Sequence, residues 1–269
     1  VLLASVLGIG RAALLAGPPV PDAEARAFED RVRAREREGV PVAYLTGRRA
    51  FCDLELRVDP RVLVPRPETE LLVETLLEAL EDAGDPLPGG WVVDVGTGSG
   101  CVALAVARRR PVLAVDLSLD ALAVAAGNRE ACAPRERVAL VAADLLTACA
   151  PGSAAAILAN PPYVAPEELD TLAPDVREHE PRAALVPRGE SVDALYARLV
   201  EQAAHIVRPG GLLALEVGAG GAGAVAARLE APAWRAPAVR RDLAGHERVV
   251  AARRAGGRPG PALSATARG

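Results

Sequence analysis

Five residues near the middle of the chain, Gly96-Thr97-Gly98-Ser99-Gly100, alternate glycine with small hydroxyl residues directly after the apolar run Trp91 to Val95, which carries an acid at Asp94. Glycine lets a backbone turn sharply and come close to a ligand. A second acid, Asp116, ends the next apolar run 20 residues after Gly96, where a carboxylate can take the two hydroxyls of a ribose. A nucleoside-containing cofactor follows. A dinucleotide fingerprint would place its third glycine at Cys101, whereas here the glycines run G-x-G-x-G. Asp94 facing that loop would repel a pyrophosphate and suit a cationic amino group, as in S-adenosylmethionine. For the loop alone, a nicotinamide dinucleotide and a purely structural turn stay open. Ser99 is no nucleophile elbow, because G-x-S-x-G needs glycines at Thr97 and Cys101.

The second chemical segment is Asn160-Pro161-Pro162-Tyr163, directly after the apolar run Ala155 to Ala159. Two prolines stop a strand, fix the backbone and remove two N–H donors. Alone, the tetrapeptide could be a rigid Pro-Pro turn. Beside the glycine loop it offers a planar nitrogen a site: the Asn160 side-chain oxygen and the Pro161 carbonyl accept both N–H bonds of an NH2 group, and Tyr163 stacks on its flat face.

Both segments need strands that end side by side. From Pro67 onward strand-length and helix-length apolar runs alternate, the signature of a parallel sheet covered on both faces. Glu68 to Glu81 reads as a helix closed by Gly84. Strands are expected at Trp91–Val95, Val112–Val115, Val138–Ala142, Ala155–Ala159 and Gly211–Val217, with two more near Ala238 and Val249. Gly96, Asp116, Asp144 and Asn160 then lie at carboxyl ends of strands, where open α/β sheets bind ligands. Pro161 to Glu190 reads as irregular.

Residues 1–48 read as a helical domain whose charged stretch, Glu24 to Glu38, is a solvated face. Val1 falls inside an apolar helical pattern, so the start reads as truncated. Residues 49–66 change period: Phe51, Leu54, Leu56 and Val58, a turn at Asp59-Pro60 and a second strand at Val62 to Val64 form a β-hairpin linker. Residues 67–255 form the α/β domain and 256–269 a Gly/Pro-rich flexible tail.

With 51% hydrophobic and 25% charged residues among 269, the chain has the make-up of an ordinary globular protein. All 31 basic residues are arginine, which excludes a Schiff-base lysine and a P-loop lysine. The formal charge, 31 − 35 = −4, argues against holding nucleic acid by bulk electrostatics. The widely spaced Cys52, Cys101, Cys132 and Cys149 read as small buried hydrophobes in a reducing compartment, with no metal site. No apolar run reaches the roughly 18 residues of a membrane span, and a cytoplasmic location is expected.

The sequence resembles the class I methyltransferases with an Asn-Pro-Pro-Tyr motif, which act on exocyclic or amide nitrogens. Val64-Pro65-Arg66-Pro67-Glu68-Thr69-Glu70 narrows the resemblance to the bacterial glutamine methyltransferases of peptide chain release factors. Tyr44 to Gly47, Val176, Glu180-Pro181, Arg208 to Gly211, Leu215-Glu216 and Asp242 to Arg248 extend it over nearly the whole chain. The resemblance implies a Rossmann-like α/β domain with a seven-stranded mixed sheet, joined by the hairpin to a small N-terminal helical domain for substrate recognition. It implies S-adenosylmethionine as cofactor, held by Asp94, Gly96, Thr97, Gly98, Ser99, Gly100, Asp116, Asn160 and the Asp144-Leu145 pair beside the adenine. The acceptor would be the glutamine of a Gly-Gly-Gln loop in release factors, held by Asn160, Pro161, Pro162 and Tyr163, with Arg66, Glu68 and Glu180 nearby. The chain is expected to act as a monomer without direct nucleic acid contact.

Several departures and bland alternatives accompany that reading. Leu145 stands where an aromatic often covers the adenine, and against the resemblance the start reads as one or two helices late. Arg66 and Glu68 could form a simple ion pair at a helix start, Glu180 could be a surface acid, and His179 and His246 read as exposed polar residues. The rival acceptors are an adenine amino group on nucleic acid and a glutamine of a ribosomal protein.

Overall fold

The structure, a computed structural model, describes residues 1–82, 86–133 and 135–256. The Gly84 boundary and the tail beyond Gly256 lie outside the described residues.

The N-terminal stretch is broken into α1 (Leu2–Leu7), a 3-10 turn (Arg11–Ala16), α2 (Asp22–Glu38) and α3 (Val42–Thr46). Gly8, Gly17, Gly39 and Gly47 end these pieces in left-handed conformation, the common helix stop. The charged α2 buries none of its residues, as expected of a solvated helix. The antiparallel hairpin is β1 (Arg48–Phe51) and β2 (Leu54–Arg57). Its turn is at Cys52-Asp53; the chain does turn at Asp59-Pro60, where Val62 N donates to Asp59 O at 3.1 Å, but that turn joins no second strand, because Val62 to Val64 is not one. Side chains hold this segment instead: Tyr44 donates to Val62 O at 2.6 Å and Arg49 to the following Pro65 O at 3.0 Å.

A 3-10 turn (Pro67–Thr69) leads into α4 (Glu70–Glu81). Then follow β3 (Trp91–Val95), α5 (Cys101–Val106), β4 (Val112–Asp116), α6 (Leu119–Cys132), β5 (Val138–Ala142) and β6 (Ala154–Ala159). The stretch expected to be irregular holds a 3-10 turn at Pro166–Thr171 and two short helices, α7 (Pro174–His179) and α8 (Arg182–Leu185). The last described elements are α9 (Val192–Ile206), β7 (Val207–Glu216), α10 (Ala222–Arg228), β8 (Trp234–Arg241) and β9 (Glu247–Arg254).

The strand order is β5-β4-β3-β6-β7-β9-β8, a seven-stranded mixed sheet in which only β9 runs opposite to the rest, antiparallel to both β7 and β8. Side chains alternate along each central strand. Val92, Ala156, Leu158, Leu212 and Ala214 pack with α4 and α5, while Val93, Ile157, Ala159, Leu213 and Leu215 pack with α9 and α10. Chain order reverses between β3 and β6, so a crevice opens at the carboxyl ends of these two strands. The cysteines depart from expectation: Cys52 is exposed and Cys101, Cys132 and Cys149 are half-buried. Among the described residues, no helix is long and apolar enough to cross a membrane.

Candidate active site

The register pairs Val95 with Ala159, which sets Gly96 and Asn160 side by side where their strands end. A Cβ built on Gly96 would stand 3.6 Å from Asn160 O, so the two chemical segments share one wall. A cleft of about 310 Å³ opens there, lined by Asp94, Gly96, Thr97, Gly98, Ser99, Asp116, Asp144, Leu145, Asn160, Pro161, Pro162 and Arg66.

Gly96, Gly98 and Gly100 have φ of 72°, 54° and 83°, a region other residues rarely adopt. Asp94 is buried, and its Oδ2 accepts from Thr97 Oγ1 at 2.6 Å and from Ala103 N at 3.0 Å. It thereby closes the loop and holds the start of α5. Burial lifts its pKa to about 6, against the pull of those two bonds. Asp116 accepts from Gly98 N and Ser118 N, both at 2.8 Å, one on each oxygen. A carboxylate has about four acceptor positions, so two remain for hydroxyls in the cleft. Burial raises its pKa as well.

Asp144 is bound by Arg198 at 2.6 Å, and the same guanidinium holds Glu190 at 2.6 Å. Leu145 follows with φ of 48°, a costly left-handed conformation for a non-glycine residue. Leu117, Leu145 and Leu195 give this end of the cleft an aliphatic lining.

At the other end, Asn160 Nδ2 donates to Thr69 Oγ1 at 3.1 Å, which turns Asn160 Oδ1 away from the buried Thr69. Arg66 pairs with the buried Glu180 at 2.5 Å, across 114 residues of chain and not with Glu68 as a helix-start pair would. Glu180 is therefore no surface acid; burial raises its pKa, and Arg66 opposes that. Glu68, Glu180 and Tyr163 are not in the lining. The Tyr163 ring packs where a Cβ on Gly218 would fall, 2.9 Å from Tyr163 Cδ2, and burial raises its hydroxyl pKa to about 12. His179 Nε2 lies 2.7 Å from Glu38 O and His246 is exposed, both away from the cleft lining. Thr69 and Arg198 also line the cleft; they reach it from distant elements, so sequence spacing carries no signal for them.

S-adenosylmethionine fits this cleft. A buried acid stands at the loop for a cation, and an acid with free acceptor positions closes β4 for a ribose. Ser99 Oγ in the loop has no hydrogen-bond partner among the described residues, which leaves a donor for a ligand. The seven-stranded sheet with its glycine loop after β3 is that of a class I methyltransferase, and a family model for the methyltransferase small domain matches residues 67–192. A second, the PrmC N-terminal domain, matches residues 1–47. The release factor glutamine methyltransferase of Gloeobacter violaceus is 40% identical over 93% of this chain and 87% of its own length. That of Cereibacter sphaeroides is 42% identical over 94% and 88%. Among solved structures, a methyltransferase from Pyrococcus furiosus shares the fold, with a TM-score of 0.53 at 16% identity over 87% of this chain and 98% of its own. The chain belongs to the release factor glutamine methyltransferase family, and its methyl donor is S-adenosylmethionine.

Proposed function

We propose that the chain methylates the side-chain amide nitrogen of the glutamine in the Gly-Gly-Gln loop of peptide chain release factors, in the cytoplasm and as a monomer. The observation that carries this reading is the fixed amide of Asn160. Its nitrogen is occupied by Thr69, so its oxygen is the face presented to an incoming NH2. An amide nitrogen is a poor nucleophile because its lone pair is delocalised. Asn160 Oδ1 and the Pro161 carbonyl would hold its two hydrogens and turn the lone pair toward the donor; catalysis is then orientation plus electrostatic support. When bound, S-adenosylmethionine supplies a methyl carbon activated by the adjacent sulfonium. Asp94 would face the donor's ammonium group, Asp116 its ribose, and Asp144 with Leu145 its adenine. One amide proton leaves to water, so the site needs no general base.

Arg66, tied to Glu180, would form the outer wall of the acceptor subsite, with Glu68 and Tyr163 behind it. In this reading residues 1–48 recognise the protein substrate, 49–66 link, and 67–255 carry the chemistry. An adenine amino group offers the same two hydrogens, but a net charge of −4 disfavours a nucleic acid partner. Labelled methyl transfer to purified release factor, to ribosomal protein and to DNA, with the modified residue mapped by mass spectrometry, tests the assignment. Asn160→Ala should lose about 2 to 4 kcal/mol of transition-state stabilisation while still binding release factor. A wild-type kcat in that variant would sink the mechanism.

A further inference from the structure

The strained residue at the donor end is braced from one helix. Leu145 takes φ of 48° in the turn after β5, and a non-glycine residue stays in that region only where its surroundings fix it. Here α9 fixes both flanks. On one side Arg198 Nη1 donates to Asp144 Oδ2 at 2.6 Å; on the other Leu146 N donates to Gln202 Oε1 at 3.0 Å. Arg198 and Gln202 are four residues apart, one above the other on a single helix face. The second end of the guanidinium reaches further: Nη2 donates to Glu190 Oε1 at 2.6 Å, just ahead of Ser191, which caps α9. Asp144, Leu145, Glu190 and Arg198 all line the cleft.

Stability does not explain this bracing. The Arg198 and Asp144 side chains are 34% and 48% exposed, and an ion pair that open to water adds little to the fold. What it fixes is direction. An ionised carboxylate accepts on both oxygens and has no proton to give; with Oδ2 tied to Arg198 the group cannot turn freely, and Oδ1 is left to accept from a ligand.

We propose that Arg198 and Gln202 are positioning residues for the donor's nucleobase: they hold Asp144 as a fixed acceptor and Leu145 as a fixed aliphatic wall, so that the cleft takes adenine, whose exocyclic amino group donates, and rejects a base with a carbonyl in that place. The inference rests on the reading that puts the adenine beside Asp144 and Leu145. Glu190 belongs to the same device, because it shares the guanidinium and keeps it from following Asp144 toward water. Without Arg198, Asp144 and Glu190 are two like charges with no cation between them, and they separate. Without Gln202, Leu146 N loses its acceptor, and Leu145 can leave its left-handed conformation.

The test uses the full chain and calorimetry with S-adenosylhomocysteine and with its inosine analogue, which carries a carbonyl where adenine carries the amino group. Neither ligand has a methyl group to transfer, so binding is read alone. The wild type should prefer the adenine form. A hydrogen bond to a charged group is worth about 10- to 100-fold in affinity, so Asp144→Ala sets the ceiling of the loss and removes the preference. Arg198→Leu should raise the Kd of the adenine form about 10-fold and narrow the preference, with Arg198→Lys recovering part of both. Gln202→Met should cost about 3- to 10-fold, while Gln202→Glu, which still accepts from Leu146 N, should bind as wild type. In methyl transfer to release factor the loss should fall on the donor KM and spare kcat, the pattern of binding shared by ground and transition states. Unchanged affinity and preference in Arg198→Leu and Gln202→Met would overturn the clamp. So would an affinity loss that tracks a lowered urea midpoint and is not recovered in Arg198→Lys or Gln202→Glu. Asp144→Ala separates the two readings. If it binds both ligands as the wild type does, the adenine assignment has failed and the clamp with it; if it loses affinity while Arg198→Leu and Gln202→Met do not, only the clamp has failed.

Discussion

At the residue scale the two acids proposed for the donor end, Asp94 and Asp116, are held differently, and each can be read separately. Asp116 is locked in place by Gly98 N and Ser118 N, so its remaining acceptor positions are preset. Asp116→Ala should cost about 1.5 to 3 kcal/mol of cofactor binding, read as a raised Kd by calorimetry; an unchanged Kd would remove it from the ribose. Asp94 titrates at about 6 because it is buried. A cation pairs only with its ionised form, so cofactor affinity should rise as pH climbs through that value and level off above it. Asp94→Asn should flatten the profile, and a wild-type affinity independent of pH would place the ammonium elsewhere. These acids, the glycine loop and Asn160 were legible in the sequence because each lies at or just past the carboxyl end of a strand. Thr69 was not, since its bond to Asn160 spans 91 residues and nothing in local spacing announces it.

At the element scale, the hairpin shows where local signals misled. Asp59-Pro60 has strong turn chemistry, yet the turn between the strands is at Cys52-Asp53, where Cys52 takes φ of 49°. Tertiary partners hold it there: Glu70 accepts from Cys52 N at 2.8 Å and Arg108 pairs with Asp53 at 2.5 Å. Such partners lie outside any local window. The alternating strands and helices from β3 onward needed no such help, because burial on both sheet faces wrote them into the apolar pattern. One α6 residue joins the hairpin to the cofactor loop. Asn128, buried, donates to Arg57 O at 2.9 Å and Ser99 O at 2.8 Å and accepts from Arg57 N at 2.8 Å. Asn128→Ala leaves these groups without it and should destabilise the fold by about 2 to 4 kcal/mol, measured by urea unfolding. Because Ser99 sits in the glycine loop, the cofactor KM should rise too. A loss of stability under 1 kcal/mol, roughly the net worth of one ordinary hydrogen bond, would show that water replaces the amide.

At the scale of the whole molecule, the parts that a methyl-transfer site does not need are α1 to α3 and the hairpin. No α2 residue is fully buried, yet the helix is tied to the segment that precedes Glu180. Arg35 pairs with Asp175 at 3.1 Å and His179 Nε2 lies 2.7 Å from Glu38 O, both reaching α7, which ends at the residue before Glu180. A protein substrate resting on α2 therefore sits on the same wall that Arg66 and Glu180 complete. A Gly-Gly-Gln loop suits the cleft because small neighbours let the glutamine pass the rigid Pro161-Pro162 turn, but three residues alone supply little binding. A free Gly-Gly-Gln peptide should thus be a poor acceptor and intact release factor a good one, with the gap chiefly in kcat/KM. Deleting residues 1–40 removes α1 and α2 and keeps α3, whose Tyr44 packs with Val58, Val62 and the α6 residues Ala121 and Val124. That variant should bind cofactor normally, while its kcat/KM for release factor falls toward the value for the peptide. If the full chain methylates peptide and release factor equally well, the N-terminal helices have no part in substrate choice, and the cleft alone selects the acceptor.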